Sequence, residues 1–150
     1  MDFFTAVRRR LHSEFAAPTR LPERPKALVV VADDASRALA AEALHSFAPG
    51  FDVATARDPQ QALAWIDTFP PDLLLTDVQF ATDGAGALRE RLRGDARTRA
   101  CRVVVVSSLP SEDPRVESAR LESDAVLIKP VGLPSLLETV RRVMGRDISH

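Results

Sequence analysis

The 150-residue sequence lacks the features typical of secreted and membrane-spanning proteins. Its single cysteine, Cys101, cannot form an internal disulfide, and no apolar run approaches the roughly 18 residues of a membrane-spanning helix. The N-terminus has neither the apolar core nor the small-residue cleavage site of a signal peptide. These absences predict a soluble, unprocessed protein of the reducing cytoplasm.

The net charge is small, and histidine and cysteine are few. The formal net charge is -1, which gives no indication of nucleic-acid affinity, so we expect no direct DNA binding. The three histidines and the one cysteine have no spacing typical of a transition-metal site. Only two of the 20 basic residues are lysines, Lys26 and Lys129. A lysine at a strand end therefore stands out in an arginine-rich chain.

The chain divides into three segments, and prolines mark the first boundary. Residues 1–25 contain apolar residues at helical spacing and end in a proline-rich linker. The apolar set is Phe3, Phe4, Val7, Leu11 and Phe15. It predicts an amphipathic N-terminal helix that packs on its own domain, a second copy, a partner or a membrane surface. Residues 26–146 form one domain of ordinary size, and residues 147–150 form a short tail.

Five strand patterns alternate with five helix patterns in residues 26–146. The strands are short runs rich in valine and leucine, which suit a parallel sheet covered on both faces. Predicted inner-face residues are Leu39, Ala40, Ala43, Leu44 and Phe47 in the first of these helices, and Val116, Ala119 and Leu121 in the fourth. The alternation predicts an α/β fold, a doubly wound five-stranded parallel sheet of order 2-1-3-4-5, flavodoxin-like in type. The inner face of the fourth helix has little apolar surface beyond these three residues, so we expect this helix to be short and weakly held.

Chemically complementary side chains follow four strands that this order places side by side. Asp33 and Asp34 follow the first strand, Asp77 ends the third, Ser107 follows the fourth, and Lys129 follows the fifth. Three carboxylates at one edge repel one another unless a divalent cation neutralises them, and Mg²⁺ prefers such hard oxygen ligands. Asp77 can act as a nucleophile that accepts a phosphoryl group as an acyl phosphate. Ser107 and Lys129 then suit the phosphoryl oxygens.

This ordered set of acid, hydroxyl and lysine positions resembles the receiver domain of bacterial response regulators, over about residues 26–145. The resemblance implies a phosphoacceptor signalling domain in which Asp77 takes a phosphoryl group from the phosphohistidine of a sensor histidine kinase or phosphotransfer protein. It implies Mg²⁺ bound by Asp33, Asp34, Asp77 and the backbone carbonyl of Gln79. It also implies that Ser107 and Lys129 grip the phosphoryl group, that the Lys129–Pro130 bond is cis, and that Gln79 flanks the path of the hydrolytic water.

The resemblance implies mainly a signalling phosphoacceptor, whose own catalytic activities are self-phosphorylation and autodephosphorylation. We expect output through protein–protein contacts with a downstream partner that the sequence does not identify, and a homodimer is one possible form. The N-terminal helix is an addition to the basic domain, and it is expected to influence self-association or partner choice.

The sequence departs from the family pattern in ways that keep other functions open. Phe80-Ala81 replaces the family's usual Met-Pro, and Val126 replaces the aromatic residue three positions before the lysine. The missing aromatic residue modestly favours the alternative, an atypical receiver used as a phosphorylation-independent protein-interaction module. A flavodoxin-like FMN carrier would need a phosphate-binding loop rich in Ser, Thr and Gly where Asp33 and Asp34 stand. A phosphatase of the haloacid-dehalogenase type would need an acid at Gln79.

Overall fold

The computed structural model of the chain describes residues 24–47, 50–80 and 85–145. Its elements are β1 (Lys26–Val30), α1 (Asp34–Ser46), β2 (Asp52–Ala56), α2 (Pro59–Ile66), β3 (Leu73–Asp77), α3 (Ala85–Arg93), β4 (Arg102–Ser107), α4 (Pro114–Glu122), β5 (Ala125–Ile128) and α5 (Leu133–Met144). The predicted alternation of strands and helices is confirmed. The predicted N-terminal helix and the tail at 147–150 lie outside the described residues.

The five strands form one parallel sheet in the predicted order β2-β1-β3-β4-β5. The register aligns the carboxyl ends of the central strands: Val30 pairs with Thr76, and Asp77 pairs with Val106. Ser107 likewise pairs with Ile128, the last residue of β5. The residues that follow β1, β3, β4 and β5 therefore emerge at one edge of the sheet.

The strand residues alternate between two apolar layers, one on each face of the sheet. Leu28 and Val30 point into a core closed by α2, α3 and α4. Val29 points to the opposite face and joins a core closed by α1 and α5. Burial on both faces explains why the strands are continuous apolar runs rather than alternating patterns.

The prediction that Leu39 and Leu121 face the core is wrong. Leu39 is 70% exposed and Leu121 is 87% exposed. Leu39 lies five residues from the buried Leu44, and Leu121 lies five residues from the buried Val116. A separation of five residues turns a side chain about 140° around an α-helix, so neither leucine can share the buried face.

The predicted helix starts are confirmed by their capping hydrogen bonds. Asp58 accepts from the backbone N–H of Gln61 at the start of α2, and Asp113 accepts from that of Arg115 at the start of α4, both at 2.9 Å. Proline follows each capping aspartate, where no backbone donor is required. Within the described ranges no helix is long and apolar enough to cross a membrane.

Candidate functional site

The candidate site is centred on Asp77, the last residue of β3. Its Oδ2 accepts a hydrogen bond from the backbone N–H of Ala32 (2.9 Å), and its Oδ1 lies 3.7 Å from Nζ of Lys129. The Asp77 side chain is 14% exposed, so it is partly open to solvent at the sheet edge. The ends of β1 and β5 thus fix the two carboxylate oxygens from opposite sides.

Lys129 reaches this site because β5 ends one residue before it. The backbone N–H of Lys129 donates to the carbonyl of Ser107 (2.7 Å), which continues the β4–β5 pairing up to the lysine itself. The peptide bond between Lys129 and Pro130 is cis, as the family resemblance implied. The lysine is therefore presented from an ordered strand end.

Asp33 lies near the same charges and caps α1. Its Oδ2 accepts a hydrogen bond from the backbone N–H of Ser36 (2.7 Å). Hydrogen bonding from Ser36, assisted by the positive charges of Lys129 and Arg37, holds the pKa of the Asp33 carboxyl below its usual value. Capping occupies one carboxylate oxygen, so the other can still act as a ligand.

Asp34 does not point at Asp77 but forms an ion pair within α1. Its Oδ1 lies 2.5 Å from Nη2 of Arg37, and its side chain is 86% exposed. Sequence reasoning missed this contact, although an acid and a base three residues apart on a helix are regular ion-pair partners. The structure therefore brings Asp77, Lys129 and the Asp33 region together, and it directs Asp34 away from them.

The chemistry of the donors fits Mg²⁺, although the acids do not converge as a finished metal site. In the part of the chain that the structure describes, no three His, Cys, Asp or Glu side chains are grouped around one point. The carboxylates of Asp33, Asp34 and Asp77 are hard oxygen donors of the kind that Mg²⁺ takes. Asp34 must leave Arg37 to join them, and an exposed ion pair contributes only about 0–1 kcal/mol. Gln79 is exposed two residues after Asp77, and its carbonyl as a ligand stays a prediction.

Ser107 is placed at the correct strand end, but its hydroxyl is engaged elsewhere. The side chain is fully buried. Its Oγ donates to the carbonyl of Leu109 (3.1 Å) and accepts from the backbone N–H of the same residue (2.9 Å). Contact between Ser107 and a phosphoryl group therefore requires the hydroxyl to release Leu109.

An apolar groove with a volume of about 640 Å³ runs from Asp77 and Lys129 between α1 and α5. Leu39 and Leu133 line it and are 70% and 56% exposed. Leu39 thus belongs to an exposed surface beside Asp77 and Lys129 rather than to the core, where it was predicted. The polar side chains that line the groove are those of Ser36, Asp77, Ser108 and Lys129.

The geometry suits nucleophilic attack by a carboxylate on an electrophile that carries negative charge. Attack by Asp77 on a phosphoryl group would place negative charge beside the ammonium of Lys129, which would stabilise it. The hydrogen bond from Ala32 orients the carboxylate without adding a side chain that would block its approach.

Comparison with known proteins gives a family match and several relatives. A sequence model of the response regulator receiver domain matches residues 28–141. The chain is 30% identical over 142 residues to the transcriptional regulatory protein TrcR of Mycobacterium tuberculosis, which covers 94% of this chain and 51% of TrcR. It is 29% identical over 144 residues to a gliding motility regulatory protein of Myxococcus xanthus, covering 95% of this chain and 18% of that protein. The chain therefore spans about half, or less, of these relatives.

Solved structures agree on the fold. The chemotaxis protein CheY4 of Vibrio cholerae superposes with a TM-score of 0.66 at 22% identity, over 81% of this chain and 99% of that chain. At this identity the likeness shows the fold alone. The family match covers well over half of the chain and includes Asp33, Asp34, Asp77, Ser107 and Lys129. The chain belongs to the response regulator receiver domain family.

Proposed function

We propose that this receiver domain accepts a phosphoryl group on Asp77 from the phosphohistidine of a sensor histidine kinase or phosphotransfer protein. The observation that carries the proposal is the placement of Asp77 between the Ala32 N–H and the Lys129 ammonium at the carboxyl edge of the sheet. The reaction requires Mg²⁺, and Asp33, Asp34, Asp77 and the carbonyl of Gln79 would hold it. The cytoplasm is the proposed compartment.

The transfer step exchanges one bond to phosphorus for another. A carboxylate oxygen of Asp77 attacks phosphorus, the P–N bond of the phosphohistidine breaks, and the imidazole leaves with the bonding electron pair. Lys129 stays beside the new acyl phosphate as its protein counter-ion. Mg²⁺ held by the proposed ligands would supply positive charge that lets the acids at the sheet edge tolerate an anionic phosphoryl group. Attack of water on phosphorus later restores the carboxylate and releases inorganic phosphate.

The donor protein must bring its phosphorus within bonding distance of Asp77, so it must cover the surface around that residue. Leu39 and Leu133 are the exposed leucines of the groove that begins there. We assign this groove to the phosphodonor protein, because apolar side chains beside a reactive group supply the burial that docking needs. Output passes to a further, downstream protein through surface contacts, and a homodimer is one form that such contacts could take.

The decisive experiment is intact-mass analysis after incubation with acetyl phosphate and Mg²⁺. The expected product carries the mass of one phosphoryl group, and both Asp77→Asn and omission of Mg²⁺ should prevent its formation. Asp72→Asn is the matched control, because Asp72 precedes the same strand at its other end and accepts from the backbone N–H of Lys26. An adduct that persists in Asp77→Asn would show that the phosphoacceptor is assigned wrongly. Absence of any adduct would favour a phosphorylation-independent interaction module.

A further inference from the structure

Arg37 makes one ion pair and two backbone hydrogen bonds at the turn between β1 and α1. Its Nη2 pairs with Asp34 Oδ1 (2.5 Å), while Nη1 donates to the carbonyls of Val31 (2.9 Å) and Ala32 (3.2 Å). The arginine side chain is only 16% exposed, although its partner Asp34 is 86% exposed. The guanidinium is thus packed into the turn, and the carboxylate reaches outward to meet it.

This turn is also the one that holds the phosphoacceptor. The backbone N–H of Ala32 donates to Asp77, and the carbonyl of the same residue accepts from Arg37. One guanidinium therefore connects the turn that orients Asp77 with Asp34, a carboxylate proposed to bind the metal. A planar group with several fixed donors can serve these acceptors together, whereas an ammonium group is a single point charge.

We propose that Arg37 is a positioning residue that acts as a built-in counter-ion of the acidic site and competes with Mg²⁺ for Asp34. The inference rests on the proposed function, because it concerns the metal site of the phosphoacceptor. Because the Asp34 carboxylate is turned outward toward Arg37, it must leave the guanidinium before it can join Asp77 around a metal ion. Arg37 therefore raises the Mg²⁺ concentration at which the site fills.

A purely structural role for Arg37 predicts the opposite change in Mg²⁺ affinity when the residue is removed. If Arg37 only braced the turn through the carbonyls of Val31 and Ala32, its removal would loosen the site and weaken Mg²⁺ binding. If it competes for Asp34, its removal frees a carboxylate and deletes a positive charge near the ion, so binding tightens. An exposed ion pair of ordinary strength corresponds to an affinity gain of about two- to five-fold.

The test is Mg²⁺ titration by isothermal calorimetry of the wild type, Arg37→Gln and Arg37→Met, each first shown by circular dichroism to be folded. Arg37→Met keeps an apolar stem and serves if the glutamine variant does not fold. Arg142→Gln is the charge-matched control, because it removes an exposed arginine near the end of α5 that is far from the site. We expect Mg²⁺ to bind Arg37→Gln about two- to five-fold more tightly than the wild type, and Arg142→Gln to match the wild type.

A second readout separates this inference from the proposed function. The rise in melting temperature at a fixed sub-saturating Mg²⁺ concentration should be larger for Arg37→Gln than for the wild type. Unchanged or weaker binding in both Arg37 variants, with normal binding by the wild type, overturns the competition alone. Absence of Mg²⁺ binding by the wild type and by the variants overturns the metal requirement of the proposed function as well.

Discussion

At the scale of single residues, the candidate site depends on two side chains at strand ends, the carboxylate of Asp77 and the ammonium of Lys129, which lie 3.7 Å apart. Asp77 and Lys129 could be predicted because a polar residue that ends an apolar strand must emerge at the sheet edge. The Asp34–Arg37 pair was missed, since pairing depends on a side-chain choice between a neighbour on the helix and the strand ends. The orientation of Ser107 toward Leu109 is likewise a rotamer preference that no spacing encodes.

Lys129→Ala is predicted to separate phosphorylation from its consequences. The ammonium lies 3.7 Å from Asp77 Oδ1 and is not one of the proposed metal ligands, so the variant should keep Mg²⁺ binding. It should lose most of the conformational response to beryllofluoride, because the protein cation that would grip the phosphoryl group is gone. Amide chemical shifts measured with and without beryllofluoride and Mg²⁺ test this. Lys129→Arg is the charge-conserving comparison, and a normal response in Lys129→Ala would contradict the role of the lysine.

Asp95, remote from the site, gives a prediction about pH. Hydrogen bonds from the side chain (2.7 Å) and the backbone N–H (2.9 Å) of Arg97, helped by Arg91, hold the pKa of the Asp95 carboxyl far below its usual range. The unfolded chain binds a proton at about pH 4, and the folded chain does so only at lower pH. The carboxylate therefore stabilises the fold fully above about pH 4. This contribution decreases as the pH falls below that point and is lost at the folded pKa.

Asp95→Asn should consequently lower the urea midpoint most at about pH 7, and the difference from the wild type should shrink toward about pH 3. Glu112→Gln, which removes an exposed acid from the loop before α4, is the control for a general charge effect. If Asp95→Asn lowers the urea midpoint by the same amount at both pH values, the lost stability does not come from ionisation of Asp95.

At the scale of the elements, local chemistry explains most of the agreement between sequence and structure. Asp58 and Asp113 could be recognised as caps because an aspartate followed by proline satisfies the first turn of a helix and forbids its extension backwards. Leu39 and Leu121 are exposed although leucine is usually buried, because each lies about 140° around its helix from a buried residue. That α4 is weakly held stays a prediction; its buried residues are Val116 and Ala119.

The segment from Ser107 to Ser123 is predicted to reorder when a phosphoryl analogue binds. Ser107 must release both hydrogen bonds to Leu109 to reach the phosphoryl group, and Leu109 packs against the same apolar core as α4. Val126 packs partly buried against that core and offers no second large rotamer, so the loop and α4 must carry the change. We expect this reordering to cost only a few kcal/mol.

Hydrogen exchange measured with and without beryllofluoride and Mg²⁺ tests this coupling. Protection in residues 107–123 should change, whereas α2, which packs through the buried Ala62 and Ile66 and lies apart from that loop, should exchange at the same rate. No change in residues 107–123, with the analogue demonstrably bound at Asp77, would mean that phosphorylation is not transmitted through α4.

At the scale of the whole molecule, the fold could be predicted because alternating apolar runs and amphipathic segments allow few arrangements in a single domain. The doubly wound sheet then delivers the site as a consequence of strand order and register. What the domain connects to is a different question, because partner choice depends on surfaces whose composition is weakly constrained by folding. The described residues contain exposed apolar surface at Leu39 and Leu133, next to the site.

Deleting residues 1–20 is predicted to change association while leaving phosphorylation intact. The deleted segment has five apolar residues at helical spacing, which need burial against protein, and it lies outside the described residues. Asp77, Lys129 and the five strands that position them all lie after residue 25. The truncated protein should therefore accept a phosphoryl group from acetyl phosphate at the wild-type rate but differ in oligomeric state or partner binding. A full-length variant with Phe4→Ser, Val7→Ser and Leu11→Ser keeps the chain length and should behave like the deletion. Light scattering and partner pull-down measure these properties, and wild-type association, solubility and partner binding in both variants would refute a role for the N-terminal segment.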